Sequence, residues 1–325
     1  MSLSPLPEPT ISDVYDARRA IASHVHRTPL RRVPGLCESL DADVWVKHEN
    51  LQLLGAFKVR GGMNLVSRTS EEERARGFVT ASSGNHGQSI AYAAQQFGAK
   101  CTVFVPVGAN PVKVASMRSM GATVVEHGPI FDDARVQSEI VAREEGMRYV
   151  HAANEPMLVA GVATYSLEIH EDLDDIDYII VPVGAGSGAC GASIVSRYLS
   201  PNTKVIGVQS DAAPSVYLSW KKMEGPTVDA KMETAAEGLA TGSSYDYPVG
   251  MLRKYLHDFL LVSEDNIQQA IVTLIATTRT LVEHAGATSL AGAESIRDQL
   301  QGKRVVLIAS GANITIDQLK TVIAD

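Results

Sequence analysis

Short runs of β type alternate with longer helical patterns along almost the whole chain, and this alternation constrains the fold more than any other feature. The runs cover residues 44–47, 78–81, 101–106, 123–126, 178–183, 205–209, 259–262 and 305–309. Helical patterns lie between them, for example after Ser70, which forms a capping-box motif with Glu73, and after Ser263. The alternation predicts an α/β protein whose mostly parallel sheets are flanked by helices.

Length and composition set the size of this fold and exclude several classes of protein. With 325 residues, of which 45% are hydrophobic, the chain can bury a large core, and we expect two domains. A formal net charge of −8 without a strong basic cluster argues against a nucleic-acid-binding surface. No apolar run approaches the roughly eighteen residues of a membrane span, and the N-terminus lacks a signal-peptide pattern. We therefore expect a cytoplasmic protein that binds neither nucleic acid nor membranes.

The three cysteines, Cys37, Cys101 and Cys190, lie far apart in the sequence. Such spacing favours neither a disulfide framework nor a zinc site. Cys101 opens an apolar run, so we expect it in the core.

One lysine, Lys58, lies between apolar residues and glycines in the segment Gly55-Ala-Phe-Lys-Val-Arg-Gly61. A lysine that is partly desolvated loses proton affinity, and its neutral amine can attack an aldehyde to form a Schiff base. Taken alone, such a segment more often holds a surface lysine with a buried stem and a hydrated ammonium group. Other segments have to decide between these interpretations.

The segment Ser82-Ser-Gly-Asn-His-Gly87 follows a β-type run and precedes the helical pattern of Ile90, Ala91 and Ala94. A tight polar turn at a helix start offers unpaired backbone N–H groups to an anion, and a carboxylate would suit it. An ordinary helix cap by serine or asparagine explains the segment about equally well when it is taken by itself.

A second loop, Gly184-Ala-Gly-Ser-Gly-Ala-Cys-Gly191, comes directly after an apolar run typical of a strand that is covered on both faces. Because glycine has no Cβ, the backbone amides of such a loop can approach a phosphate closely. The loop therefore predicts a phosphate site.

The same loop also fits a dinucleotide fingerprint, with Gly186, Gly188 and Gly191 at the required spacing. Asp211 follows the next β-type run at about the distance of a ribose-binding acid. An NAD-dependent Rossmann enzyme is thus an alternative of a different class. Its weakness is the position of the loop in mid-chain, because the fingerprint normally opens its domain.

These segments and the later Ser310-Gly-Ala-Asn313 resemble, in order and spacing, the serine/threonine dehydratase and serine racemase group of fold type II pyridoxal phosphate enzymes. The resemblance extends from about Ser12 to the C-terminus. It implies two open, twisted, mostly parallel sheets flanked by helices. It also implies a small domain at residues 78–154, which carries the substrate-carboxylate turn, inserted into a large cofactor-binding domain of residues 1–77 and 155–325.

The resemblance also assigns roles at the first two segments. It implies that Lys58 holds pyridoxal 5'-phosphate covalently and later removes the Cα proton, while Phe57 packs beside the cofactor ring. Ser83 resembles the hydroxyl on the opposite ring face. Ser82, Asn85 and the turn amides would bind the substrate carboxylate, and Asn85 would also reach the ring oxygen. His86 is assigned to the substrate site, although a structural histidine at a helix start is an equally good interpretation.

Further cofactor contacts follow from the later segments. Gly184, Ala185, Gly186, Ser187 and Gly188 align with the phosphate loop of the family, which usually has four consecutive glycines, so alanine and serine are departures here.

Two more residues would contact the cofactor ring. Gly238 would pass next to it, in a segment 237–244 that could contribute to the side-chain pocket. Ser310 matches the residue at the pyridine nitrogen. A hydroxyl there makes the ring a weaker electron sink than an aspartate would, and this favours loss of a β-substituent. Ala312 replaces a family glycine.

The function implied by the resemblance is dehydration of a small β-hydroxy amino acid, such as L-threonine or L-serine, to a 2-oxo acid and ammonia. Racemisation is an alternative because Ser83 supplies a second proton donor. Hydroxyaspartate, phenylserine or a hydroxyectoine derivative are alternative substrates. A catalytically inactive amino-acid-binding module is a third class, against which Lys58 and Ser83 argue.

Racemase-like relatives bind a divalent cation through two carboxylates, and the matching positions here are Gln209 and Ser215. Neither supplies an anionic oxygen, so we predict no metal at that place. The chain ends soon after a closing helical pattern at 314–323, so we expect no regulatory domain and no feedback inhibition by isoleucine. We expect a homo-oligomer.

Overall fold

The computed structural model describes residues 6–222, 225 and 230–324. Residues 1–5, where the sequence predicts no export signal, lie outside this part of the chain. No helix in the described ranges is both long and apolar enough to cross a membrane.

Ten strands form two separate sheets in the described part of the chain. In chain order the strands are β1 Leu30–Arg32, β2 Asp43–Lys47, β3 Phe78–Ala81, β4 Cys101–Val105, β5 Thr123–Glu126, β6 Arg148–Tyr149, β7 Tyr178–Pro182, β8 Lys204–Ser210, β9 Asp258–Val262 and β10 Arg304–Ile308. The larger sheet has six strands in the order β1-β2-β10-β7-β8-β9, and the smaller has four in the order β5-β4-β3-β6. Only the β1–β2 pair is antiparallel. The expected class, α/β with two mostly parallel sheets, is confirmed.

The helices cover both sheets, as parallel strands with buried faces require. They are α1 Ile11–Ile21, α2 Pro34–Leu40, α3 Lys58–Ser67, α4 Glu71–Arg76, α5 Asn85–Gln96, α6 Pro111–Ser119, α7 Phe131–Glu144, α8 Pro156–Asp172, α9 Ser187–Leu199, α10 Ser215–Lys222, α11 Asp246–Tyr255, α12 Glu264–Thr278, α13 His284–Ser295, α14 Arg297–Leu300 and α15 Ile316–Ala324. Short 3-10 turns span Glu49–Leu51, Leu53–Gly55 and Glu237–Leu239.

All eight β-type runs of the sequence correspond to strands, with ends that differ by at most two residues. The caps are also observed, because the Ser70 hydroxyl accepts from the Glu73 amide and the Ser263 hydroxyl accepts from the Asn266 amide. The capping box is incomplete, since the Glu73 carboxylate lies 3.2 Å from the Ser70 hydroxyl and does not accept from the Ser70 amide. Strands β1 and β6 were not predicted. They have three and two residues, too few to show a periodic pattern.

Helix α3 connects the two halves of the molecule because it packs against both α5, which follows β3, and α8, which precedes β7. Glycines permit the close approach: a Cβ at Gly62 would lie 2.3 Å from the Ser89 hydroxyl oxygen. A Cβ at Gly61 would lie 2.9 Å from the Leu158 carbonyl oxygen. All four strands of the smaller sheet lie within the predicted small domain, but α3 belongs to the packing of both sheets, and the domain boundaries stay a prediction.

Candidate active site

A cavity of about 360 Å³ lies where the carboxyl ends of strands from both sheets meet. Ala81 at the end of β3, Pro182 at the end of β7 and Ser310 just after β10 all line it. Ligands of open α/β sheets bind at this edge, because the loops that follow parallel strands converge there. Every site residue that the sequence predicts lines this one cavity.

Lys58 begins α3 and points its amine into the cavity. Its Nζ atom donates a hydrogen bond of 2.8 Å to the Ser187 hydroxyl and lies 5.1 Å from the centre of the Phe57 ring. Burial lowers the pKa of Lys58 to about 8. A substantial fraction of the amine is therefore neutral near physiological pH, as a nucleophile requires.

The backbone beside Lys58 is held by the Ser310 segment. The Phe57 amide donates to the Ser310 carbonyl at 3.2 Å, and the Ala312 amide donates to the Gly55 carbonyl at 2.8 Å. The Ser310 residue is buried, and it lines the cavity. Two segments about 250 residues apart in the sequence are thus fixed to each other at the cavity wall.

Helices α5 and α9 begin at the cavity without side-chain caps. Their N-cap residues are Gly84 and Gly186, and no side chain accepts a hydrogen bond from the first turn. By contrast, α1, α4 and α12 are capped by Thr10, Ser70 and Ser263. The N–H groups of an uncapped helix start carry partial positive charge and need acceptors. Each of these two helix starts, one behind a strand of each sheet, therefore suits an anion, although other helices at the cavity, such as α3, also begin without a side-chain cap.

The glycines of the α9 loop are required by its geometry. Gly186 has φ +105°, a conformation that side chains rarely adopt. A Cβ at Gly184 would lie 2.4 Å from the Gly238 carbonyl oxygen, so position 184 has no room for a side chain. Ala185 does not have a positive φ, as the sequence required of an alanine at this position. The buried Tyr165 hydroxyl holds the loop by donating to the Gly188 carbonyl at 2.8 Å.

The amide side chain of Asn85 is held by two hydrogen bonds at the start of α5. It donates to the Glu283 carboxyl oxygen at 2.8 Å, and its own oxygen accepts from Asn313 at 2.7 Å. Burial raises the pKa of Glu283, although Lys113 and the Asn85 hydrogen bond oppose this. Sequence reasoning missed Glu283, because a single glutamate in a helical region carries no signal.

The two serines of the same turn are less constrained. The Ser82 hydroxyl accepts from the Gly84 amide at 3.2 Å. Ser83 lines the cavity and is only partly buried, so a ligand can reach it.

His86 is held from the side away from the cavity. Its Nε2 atom lies 3.0 Å from the Thr80 hydroxyl, whose own proton is donated to the Val150 carbonyl at 2.7 Å. Because Thr80 can donate only once, His86 must be the donor, with its proton on Nε2. Burial lowers the pKa of His86 to about 3, so the ring is neutral. This arrangement favours the structural interpretation of His86 over a catalytic one.

A further part of the cavity is lined by residues of α7 and by Tyr245, which the sequence did not single out, and by Glu237, which lies in the segment 237–244 that it did. Ile130, Phe131 and Asp132, at the start of α7, face this space together with Tyr245. Glu237 lines the same region and forms an ion pair with Lys113 of α6, which joins the two sheets across the cavity. The α7 residues and Tyr245 belong to no motif, because they come from two segments that lie far apart in the sequence.

The positions that hold a metal in racemase-like relatives are engaged in protein contacts. The Gln209 side-chain oxygen accepts from the Tyr217 amide at 3.0 Å, and the Ser215 hydroxyl lies 3.0 Å from the Thr241 hydroxyl. Within the described ranges, no cluster of potential ligands that could hold a metal ion is found. That this place binds no divalent cation stays a prediction.

The dinucleotide alternative loses its support in the structure. Gly191 packs against α8, where its Cβ would lie 2.9 Å from the Ala163 Cα atom. Asp211, the candidate ribose-binding acid, follows β8 and does not line the cavity.

The cavity has the features that pyridoxal phosphate requires. Lys58 offers an amine for the aldehyde, the α9 start offers amides for the phosphate, and Ser310 offers a neutral hydroxyl at the cavity wall. The Phe57 ring closes the space near Gly188, whose Cβ would lie 3.6 Å from it. The residues present therefore fit this cofactor.

Comparison with known proteins agrees with this geometry. Residues 21–311 match the family model described as "Pyridoxal-phosphate dependent enzyme". The chain is 37% identical over 314 residues to an L-threonine ammonia-lyase of Thermotoga maritima, an alignment that covers 97% of this chain and 78% of that protein. It is 31% identical to an L-threo-3-hydroxyaspartate ammonia-lyase of Saccharomyces cerevisiae, with 97% of both chains covered. The crystal structure of serine racemase from Dictyostelium discoideum superposes with a TM-score of 0.88 at 31% identity, covering 94% of this chain and 99% of that one.

Proposed function

We propose that this chain, which belongs to the family of pyridoxal-phosphate dependent enzymes and is a dehydratase within it, converts L-threonine and L-serine to 2-oxo acids and ammonia. One observation carries the proposal. A buried lysine with a lowered pKa faces the same cavity as two uncapped helix starts. A β-hydroxy amino acid joined to pyridoxal phosphate has two anions, a carboxylate and a phosphate, and a Cα proton between them.

The bound cofactor would supply an aldehyde that condenses with amines and a ring that withdraws electrons from Cα. Lys58 would provide the amine for attachment and then the base for the Cα proton, because a pKa of about 8 suits both tasks. The amides at the start of α5, with Ser82 and Asn85, would hold the substrate carboxylate. Ser310 would keep the ring nitrogen hydrogen-bonded without a fixed charge, which favours elimination.

The charges around the outer cavity favour a substrate with a neutral side chain. Asp132 and Glu237 both line this region. Arg135, the cation nearest in sequence to Asp132, is already paired with Asp132 and Glu139 at 2.9 and 2.8 Å. A second carboxylate on the substrate would approach these two carboxylates, which disfavours hydroxyaspartate, but the repulsion is reduced because Arg135 and Lys113 already pair with Asp132 and Glu237. Threonine and serine meet no such repulsion.

Racemisation is the second candidate, and the position of Ser83 favours it. The side chain is partly exposed to the cavity and has room to exchange a proton with a ligand. A racemase needs a donor on each face of Cα, and Ser83 and Lys58 would form that pair. The loss of carboxylates at Gln209 and Ser215 argues for elimination as the main reaction.

We also infer a cytoplasmic location and a homo-oligomer for this enzyme, with the small domain at residues 78–154. The acidic balance of charges supports the first inference. Sedimentation velocity tests the second, and a single species at the monomer mass of 34.8 kDa would contradict it.

The reaction is tested with a panel of β-hydroxy amino acids, measuring release of 2-oxo acid together with chiral analysis of the unreacted substrate. We expect turnover of L-threonine and L-serine and much slower turnover of threo-3-hydroxyaspartate. Asp132→Asn should reduce the ratio of the threonine rate to the hydroxyaspartate rate. Asp265→Asn, which alters an exposed residue on α12, should leave that ratio unchanged. Release of 2-oxo acid from hydroxyaspartate alone would overturn the substrate assignment.

A further inference from the structure

The hydroxyl of Ser187 is the polar partner of the Lys58 amine. The Nζ atom donates to it at 2.8 Å, and this is the one hydrogen bond of that atom within the described ranges. Ser187 is the first residue of α9, and only 3% of its surface is exposed. The hydroxyl therefore has a fixed position on a rigid element.

Other groups near the amine cannot replace this contact. Cys190, one turn further along α9, would raise the pKa of Lys58 only if its thiol were ionised. Burial raises the pKa of the Cys190 thiol, so it is neutral at ordinary pH. The Ser89 hydroxyl is also close, but it donates to the Lys58 backbone carbonyl at 2.7 Å and not to the amine. The side chain of Lys58 thus depends on Ser187.

We propose that Ser187 is a positioning residue, which holds the amine of Lys58 at the α9 end of the cavity whenever that amine is not covalently engaged. The inference deepens the proposed function, because it rests on Lys58 as the reactive amine. It also accounts for a serine in a loop where the resembling family has glycine. A glycine would leave the buried amine without a partner.

The hydroxyl contact has a measurable effect on the proton affinity of the amine. Hydrogen bonds to a charged group are stronger than those to a neutral one, so the contact stabilises the ammonium form more than the neutral amine. Its removal should lower the pKa of Lys58 below the value of about 8 that burial produces. The proton of the hydroxyl itself stays free to donate to an anion at the start of α9, so Ser187 can join the amine and a phosphate group.

The test measures the amine directly in the full chain after removal of cofactor by dialysis against cysteine. Competitive labelling with acetic anhydride across the pH range, followed by peptide mass spectrometry, gives the titration midpoint of Lys58. We expect this midpoint to fall by about one pH unit in Ser187→Ala and in Ser187→Gly. Ser193→Ala is the matched control, since Ser193 is buried on the same helix and its hydroxyl has no hydrogen-bond partner in the described ranges. Its midpoint should equal that of the unaltered chain.

An unchanged Lys58 midpoint in either folded Ser187 variant would overturn the proposal, and circular dichroism establishes that the variants are folded. A midpoint that falls equally in Ser193→Ala would overturn it too, because the effect would then come from α9 in general. The result is independent of the reaction assignment. Absence of 2-oxo acid release would count against the proposed function and would leave the labelling midpoints as they are.

Discussion

Two lysines in this molecule have lowered pKa values and opposite surroundings, since Lys47 is fully buried and Lys58 is partly buried at the cavity. Lys47, at the end of β2, donates to the Glu168 carboxylate at 2.6 Å and to the Thr28 carbonyl at 2.8 Å. Lys58, at the start of α3, has the Ser187 hydroxyl as its one hydrogen-bond partner among the residues that the structure describes. Burial lowers the pKa of both amines, but Glu168 and Glu49 oppose this at Lys47. The comparison shows that the partner, and not burial alone, decides whether a buried amine is structural or reactive.

Lys47 belongs to an ion cluster that also contains Glu49, Arg60 and Glu168. Arg60 is fully buried and joins both carboxylates, with distances of 2.8 Å to Glu49 and 2.7 Å to Glu168. Two cations and two anions give the cluster no net charge. Because Arg60 lies two residues after Lys58 on α3, the cluster also fixes the helix that presents the reactive amine.

The largest expected effect is on activity. Lys58→Ala should reduce 2-oxo acid release by at least about a thousandfold, because both the attachment point and the base are lost. Borohydride treatment of the cofactor-loaded protein should attach the cofactor to the peptide that contains Lys58, and this is measured by mass spectrometry. Lys100→Ala, an exposed change, should leave the rate unaltered. Retained activity in Lys58→Ala would contradict the assignment of Lys58, as opposed to Lys47, as the reactive lysine.

The next largest effect is on stability. Arg60→Met should reduce the free energy of unfolding by about 3–5 kcal/mol, because Glu49 and Glu168 would then share one buried cation. Urea denaturation measures the change. Arg76→Met, which removes an exposed pair with Glu72, should cost less than about 1 kcal/mol. Equal losses of unfolding free energy in Arg60→Met and Arg76→Met would show that the buried ion cluster contributes no more to stability than an exposed ion pair.

In cofactor-free protein, substitution of Lys58 should raise the free energy of unfolding, whereas substitution of Lys47 should lower it. Lys58 has a folded pKa of about 8 against an ordinary value of 10.5, so folding is penalised below pH 8 and the penalty disappears as the pH rises to 10.5. Lys58→Met should therefore stabilise the protein by roughly 3 kcal/mol at pH 7 and by much less at pH 10. Lys47→Met should destabilise it at neutral pH, because Glu168 loses a partner. Urea titrations at both pH values decide this, and the same sign for both variants would refute it.

The smallest expected effect is the loss of stability when Thr164, which borders the ion cluster, is replaced. Thr164 of α8 accepts from Arg60 at 3.2 Å, and Thr164→Val removes that acceptor with little change of shape. We expect a loss of about 1 kcal/mol in the free energy of unfolding. Ser166→Ala on the same helix should be nearly neutral, because no partner of the Ser166 hydroxyl is found in the described ranges. A larger loss for Ser166 than for Thr164 would contradict the assignment.

The sequence predicted Lys58 and the loops around it, and it missed Lys47 and its ion cluster. Lys58, the turn at 82–87 and the loop at 184–188 lie in short segments with a local pattern of glycines and polar residues. The ion cluster brings together residues up to 121 positions apart, and each of them looks like an ordinary charged residue in its own segment. The contacts of Asn85 with Glu283 and Asn313 were missed for the same reason.

Eight of the ten strands in the described residues were predictable because each contains a β-type run, whereas the packing of α3 between the sheets was not. That packing depends on the absence of side chains at Gly61 and Gly62, and the sequence does not say which surface will meet a glycine. The sequence thus indicated what each segment could do, and the contacts between distant segments had to come from the structure.

Helices α5 and α9 start behind strands of different sheets, so the gap between their free amide groups is set by how the sheets pack and not by a flexible loop. The cavity consequently favours a bound molecule of matching length that has an anion at each end. A bound molecule that is too short leaves the backbone N–H groups at one helix start without acceptors. Each such N–H group costs about 1–3 kcal/mol of binding free energy. We therefore expect the distance between the two helix starts to limit which amino acids can be joined to the cofactor at Lys58.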